Sequence, residues 1–240
     1  MKKLLIVSLL FCVVQGLSQE MLQGEMAMDT SFLGFYLTNT DNLDHFFSPI
    51  KTTLSEHIDS PEPTKGERPE VQNHYKELYV LLEESSDRLA QMGIVFRVYD
   101  DRVSFLYDIP AQEGLPESIV IEQEVTDYKL TGDHECCWIS GGLDKEDCTI
   151  SKFSEIDMEE RTAIKTPLII RNPDSLWLII NPVAYEGDAS MNLWIDKESL
   201  TLYSVIGNSE NIEIRRRLPF QSPWRTIHIR HSEGPLFRSN

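Results

Sequence analysis

Positive charge is scarce in this 240-residue chain: 22 Lys or Arg stand against 39 Asp or Glu, for a formal charge of −17. A surface this acidic repels a polyphosphate backbone instead of releasing its counterions, which excludes nucleic acid as a partner class and disfavours an anionic membrane face. After the first few residues no long apolar run occurs, so no membrane span is expected. There is no Gly-x-Ser-x-Gly elbow and no phosphate-cradling glycine loop, and the 6 histidines are scattered, not spaced as metal ligands. Helical periodicity is nearly missing, as are internal repeats, low-complexity tracts and any linker that would divide the chain. What is present is 41% hydrophobic residues with aromatics spread along the chain, enough for one packed domain.

The N-terminus reads as a targeting segment over residues 1–18. Lys2 and Lys3 precede an apolar run from Leu4 to Val14, and small residues follow at Gly16 and Ser18, with Gln19-Glu20 opening the mature chain. Cys12 follows Phe11, whereas a lipid-modified cysteine needs a small residue before it, so a soluble periplasmic or secreted product is expected. Loss of Lys2 and Lys3 would take the charge to −17 − 2 = −19. The mature chain keeps Cys136, Cys137 and Cys148, an odd count that allows one bridge at most. Cys148 could bridge to either member of the adjacent pair, and His134 with the three cysteines could form a metal site. Neighbouring residues of a strand point to opposite faces, which argues against one ion gripped by both Cys136 and Cys137 and favours small buried residues beside Trp138.

Short alternating runs broken by turn chemistry at intervals of about 8–12 residues predict an all-β, antiparallel sandwich. Leu78, Val80 and Leu82 alternate on one face; Ile94, Phe96 and Val98 do so on the next run, which turns at Asp100-Asp101-Arg102 into Val103, Phe105 and Tyr107 as a hairpin. Further strands are expected at 119–123, 128–131, 136–140, 167–171, 176–181, 191–196, 200–206, 212–217 and 224–229, with one short helix near Phe153 to Arg161 and a surface loop from Asp59 to Pro69. Adjacent acids such as Glu83-Glu84 read as solvated faces; a facing acid–base pair could be assembled only by folding.

Three stretches carry a resemblance. They are Gly66-Glu67-Arg68 through Val71-Gln72-Asn73-His74-Tyr75-Lys76-Glu77-Leu78, the hairpin from Phe96-Arg97-Val98-Tyr99-Asp100-Asp101 to Ile109-Pro110, and a set formed by Thr166-Pro167-Leu168, Met191-Asn192-Leu193 and Leu218-Pro219-Phe220-Gln221-Ser222-Pro223-Trp224-Arg225-Thr226-Ile227. In this order and spacing they resemble the N-terminal domain of glycoside hydrolase family 97, bacterial α-glucosidases and α-galactosidases in which a large sandwich precedes a catalytic barrel. The resemblance implies a large galactose-mutarotase-like super-sandwich over 19–240, best matched over 52–240. The family's opening strands, before a run that Ser31-Phe32-Leu33-Gly34 resembles, have no counterpart, so edge strands are expected to be missing. The chain stops at Asn240, and a barrel alone needs about 250 residues, so truncation before the barrel is expected and no catalytic residue carries over.

In the family the sandwich also supplies a glutamate to a calcium near the sugar. Alignment on Met191 and Leu193 places Pro182 there, which has no oxygen side chain for a hard cation; Glu186 and Asp188 are the displaced substitutes, and no cofactor or metal is expected. Arg102 stands where the hairpin motif has glycine, at a turn that could ask for positive φ, and Leu106 replaces an arginine. The resemblance implies that Asn181, Tyr185, Glu186, Trp224 and Arg225 lie toward sugar or barrel, with a core role for Trp224 weighed equally. The function expected is a non-catalytic carbohydrate-associated domain, whose partner is an α-glucoside or α-galactoside or a separately encoded barrel. The alternatives are a stand-alone sugar-binding module, for which Trp138, Trp177, Trp194, Tyr185 and Tyr203 are stacking candidates, mostly read as core, and a remnant without a ligand.

Overall fold

The computed structural model describes residues 32–59, 73–141, 148–157, 163–173, 175–181, 191–206 and 213–230. Its strands are β1 (Phe35–Leu37), β2 (Phe47–Asp59), β3 (Asn73–Glu84), β4 (Gln91–Val98), β5 (Arg102–Ile109), β6 (Ser118–Glu124), β7 (Asp127–Lys129), β8 (Glu135–Ser140), β9 (Thr149–Lys152), β10 (Ile164–Arg171), β11 (Trp177–Ile180), β12 (Met191–Asp196), β13 (Thr201–Ile206), β14 (Ile214–Arg217), β15 (Phe220–Gln221) and β16 (Arg225–Arg230). All pairings among them are antiparallel.

A 13-stranded sheet runs in the order β2-β3-β4-β5-β16-β11-β10-β12-β13-β7, with β15, β8 and β9 as side branches, and a 3-stranded sheet runs β1-β6-β14. The large sheet divides at β10. Ile164 and Lys165 pair with β12, Leu168 to Arg171 pair with β11, and Thr166-Pro167 lies between them with a cis peptide bond. Proline has no N–H to give the ladder, so the strand changes partner there. The two arms and the small sheet enclose one core, and the fold is an all-β sandwich.

Period-two burial builds that core. Leu78, Val80 and Leu82 on β3, Met92, Ile94 and Phe96 on β4, and Phe105, Tyr107 and Ile109 on β5 are all buried. Gly34 sits at φ 150°, and a Cβ there would stand 2.3 Å from the Leu43 carbonyl oxygen, so only glycine fits this approach. β2 is different. It pairs with β3 over its length, but Leu54 and Ile58, opposite Leu78 and His74, are 60% and 64% exposed, and β2 has no second neighbour among the described residues.

Several expectations need correction. The short helix is a single 3₁₀ turn, Phe153–Glu155, and residues 158–161 lie outside the described residues. Arg102 opens β5 without positive φ; its guanidinium lies 3.8 Å from the Tyr99 ring centroid and pairs with Asp101, so the side chain packs on the turn it was expected to strain. Leu106 is buried on the sheet's outer face. The expected loop and missing opening strands fall on residues 60–72 and before Phe32, outside the described residues.

Cys137 is joined to Cys148, closing β8 onto the chain entering β9, while Cys136 is a buried free thiol on the core side. The expected opposition of the two faces therefore splits the pair between a bridge and the core. A thiol consumed in a disulfide cannot ligate a metal, which overturns the alternative of a His134–cysteine site. Burial pushes the Cys136 thiol up to about 12. Cys136 is therefore expected to stay unreactive toward Ellman's reagent in the native chain and to react once urea unfolds it. Closing a loop of sequence separation 11, the bridge should contribute about 2–3 kcal/mol, read as the fall in urea stability of Cys137→Ser/Cys148→Ser.

Candidate functional site

The run Ser222-Pro223-Trp224-Arg225-Thr226 opens β16 and splits between two faces. Arg225 is paired opposite Phe105, a core position, and points inward, 1% exposed. Its Nε donates to Glu124 Oε1 at 2.9 Å and its Nη2 to Glu124 Oε2, while Nη1 donates to the Ser222 hydroxyl and the Pro223 carbonyl. Thr126 donates to the same Glu124 oxygen at 2.5 Å and contacts the Tyr107 hydroxyl at 2.7 Å. Tyr107 lies with its ring centroid 5.1 Å from the Arg225 guanidinium carbon. Burial, then the nearby Glu124 carboxylate, holds the Tyr107 phenol well above its usual range, so it remains a neutral donor. This arrangement is a structural bridge. The expectation that Arg225 faces sugar or barrel is corrected: the guanidinium is committed inside the fold, because a buried cation must have its donors saturated.

Trp224 and Thr226, one residue to either side, fall on the outer face by strand alternation. Trp224 is half-buried, and Arg97 of β4 stacks on it with the guanidinium carbon 4.4 Å from the ring centroid. Arg97 also lies 4.7 Å from the Tyr75 ring centroid and donates from Nε to Glu77 at 2.8 Å. Tyr75 in turn stacks on His57 at 5.1 Å and meets Tyr99 at 5.0 Å. Asn181, at the end of β11, donates its N–H to the Thr226 carbonyl at 3.0 Å. The structure thus brings Asn181 to the segment containing Trp224. Tyr185, Glu186, Asp188 and Pro182 lie outside the described residues.

Sequence reasoning missed Arg97, Tyr75 and His57 as companions of Trp224. The available signal was the outward phase of β3 and β4, where alternation puts Tyr75, Glu77 and Arg97 instead of short polar residues. Among the described residues no three His, Cys, Asp or Glu side chains are grouped so as to hold a metal ion. The band's chemistry is aromatic stacking and neutralised charge.

Removing one partner of the buried pair leaves the other charge uncompensated, so Arg225→Met is expected to cost about 3–5 kcal/mol in urea denaturation. Arg225→Met with Glu124→Leu should recover most of that loss, because no buried charge is then orphaned. Trp224→Ala should cost about 1 kcal/mol or less, the scale of a half-exposed cation–π contact.

A family model described as the glycosyl-hydrolase 97 N-terminal domain matches residues 19–240. A glycoside hydrolase family 97 enzyme from Pseudoalteromonas sp. strain K8, solved in complex with acarbose, superposes with a TM-score of 0.76 at 21% identity, covering 85% of this chain and 31% of that one. A beta-arabinopyranosidase gives 0.73 at 19% identity, covering 87% and 35%. An alpha-galactosidase from Lactobacillus brevis gives 0.52 at 12%, covering 82% and 28%. At these identities the structural likeness bears on the fold, and the chain spans only about a third of the length of these solved proteins. The family match extends over nearly all of the chain, and the sandwich agrees with it: this chain belongs to the glycosyl-hydrolase 97 N-terminal domain family.

Proposed function

We propose that this chain works as the non-catalytic, carbohydrate-associated sandwich of a family 97 glycosidase, with the acid and base of hydrolysis on a barrel outside these 240 residues. The observation that carries the reading is coverage: the match is to the N-terminal family over 19–240, while the family 97 enzyme of known structure continues far beyond the shared part, which is 31% of it. Carboxylate chemistry supports it. Glycoside hydrolysis uses two facing carboxyls about 5–10 Å apart, one of them raised in pKa to act as an acid. Here the buried Glu124 and Glu84 are each ion-paired to an arginine, Arg225 and Arg88. Asp133 is held below its usual range by the Ser154 backbone N–H, and Asp196 by the Ser199 hydroxyl, the opposite direction from a general acid.

The Trp224, Arg97 and Tyr75 band, with Asn181 beside it, is the surface proposed to dock the barrel. Aromatic and arginine side chains with their charges already matched are what a protein interface buries at least cost. The substrate class of the assembled enzyme is an α-glucoside or α-galactoside. Export to the periplasm or beyond follows from the leader and is supported by the Cys137–Cys148 disulfide, a bond that persists in oxidising compartments. No helix among the described residues is long and apolar enough to cross a membrane. No metal is assigned to the chain; Glu186 and Asp188 are the oxygen ligands nearest the family's calcium position in sequence.

Purified chain is expected to release no nitrophenol from nitrophenyl α-glucoside or α-galactoside, and translation of the genomic DNA past the Asn240 codon should reveal a barrel in the same or another frame or an adjacent gene. Turnover that co-purifies with the chain and is abolished by substituting one of its own carboxylates would overturn the reading.

A further inference from the structure

Trp194 on β12 and Tyr203 on β13 are directly opposite each other in the antiparallel register, so both rings leave the same face of the sheet. Their strand neighbours Leu193 and Leu202 are fully buried, whereas Trp194 and Tyr203 are 42% and 37% exposed. The other tryptophans weighed for stacking, Trp138 and Trp177, are only 8% and 7% exposed. Two large side chains held side by side in water cost apolar hydration that a packing role would have removed.

The surroundings select the occupant. On that face the register places the half-buried Asp196 beside Trp194 and the exposed Lys129 of β7 two residues along from Asp127, which lies directly across from Tyr203. Asp127 and Thr201 are buried, so Asp196 and Lys129 are the polar groups within reach of a ligand. A protein partner needs about 800 Å² per side around a wide apolar centre, which two rings framed by polar and charged residues do not offer. A second copy carries the same net charge of −17 and is repelled. A pyranose fits both features: its C–H faces are apolar and lie flat on aromatic rings, while its hydroxyl edge meets polar side chains. It is neutral, so the acidity of the chain does not oppose it.

We propose that Trp194 and Tyr203 form a surface platform for the pyranose rings of a neutral oligosaccharide, separated in strand order from the Trp224 band by β11 and β10. The proposal rests on the carbohydrate reading above only for the class of ligand. The platform holds a glycan against the domain by ring stacking and performs no bond chemistry.

The test is calorimetric titration of the intact chain with maltohexaose and, separately, stachyose. Saturable binding of at least one sugar is expected with Kd of about 1 mM or tighter, within the range that a few stacked rings supply. Trp194→Ala and Tyr203→Ala should each weaken it about tenfold or more with unchanged thermal melting, Trp194→Phe should retain it within about threefold, and Trp224→Ala should leave it unaltered. No saturable heat with either sugar up to about 10 mM, or Trp194→Ala binding as the parent does, overturns the platform. The nitrophenyl assay is indifferent to these outcomes: an inert chain that binds no sugar loses the platform and keeps the non-catalytic reading, and a hydrolysing chain does the reverse if the Trp194→Ala effect is found.

Discussion

The buried contact between Arg225 and Glu124 is the constraint from which the rest of this sandwich follows. Arg225 belongs to β16 in the large sheet and Glu124 to β6 in the small one, so their ion pair crosses the core between sheets. A charge pair removed from water is tolerable only when its remaining donors and acceptors are also met. That requirement enlists Ser222, the Pro223 carbonyl, Thr126 and Tyr107. The Ser222 hydroxyl also accepts the Tyr107 N–H at 2.8 Å, and the Ser222 N–H returns to the Tyr107 carbonyl at 2.9 Å, so the Ser-Pro-Trp-Arg run is fastened to β5. The Tyr107 hydroxyl reaches the Gly34 amide at 3.3 Å, which ties in the glycine that no other residue could replace. Two motifs far apart in sequence are thereby two ends of one polar network.

Fixing Arg225 inward also fixes what faces outward. A strand alternates strictly, so Trp224 and Thr226 have no choice but the opposite face, where Trp224 meets Arg97 and Thr226 holds the end of β11 at Asn181. The outer band is thus a consequence of the core bridge. Its arginines are paired in turn, Arg97 with Glu77 and Arg102 with Asp101, each also resting on an aromatic ring. In a chain with 39 acids this makes the band a locally neutral surface.

Sheet architecture was legible because burial on one face writes itself as alternation: the runs read in β3, β4, β5, β6, β12 and β13 are strands, and the hairpin turns where Asp100 and Asp101 stand. β2 escaped because the same signal fades where burial does: Phe47 reaches the core, but beyond it Thr52, Leu54, Glu56 and Ile58 mix polar and apolar residues, and Leu54 and Ile58 stay 60% and 64% exposed. β1 and β15 are too short, at 3 and 2 residues, for a period to show. Arg225 was misread because the resemblance placed it toward sugar or barrel together with its neighbour Trp224, and its partner Glu124 lies 101 residues away. The partner of Cys148 was similarly a question of which face, and only the phase of β8 answers it: Cys137 shares the outer cluster with Ile169, Trp177 and Ile179 while Cys136 enters the core.

The same phase logic separates the two aromatic surfaces. Trp224 is half-covered by an arginine that is itself neutralised, a condition suited to burial under another folded surface. Trp194 stands exposed opposite Tyr203 with Asp196 and Lys129 on the same face, a condition suited to a ligand that keeps its own hydroxyls wet. Between them β10 changes partner at Pro167, so the arms carrying the two surfaces diverge there. The two proposed roles, docking a barrel and holding a saccharide, are compatible with that divergence, because occupation of one arm leaves the other open. The core bridge joins the β16 arm to the small sheet, and Ser204 of β13 is tied by its N–H to the Thr126 carbonyl within the same network. Both arms are therefore anchored on the Glu124–Thr126 segment, the β16 arm through the buried charge pair and the β13 arm through a backbone hydrogen bond.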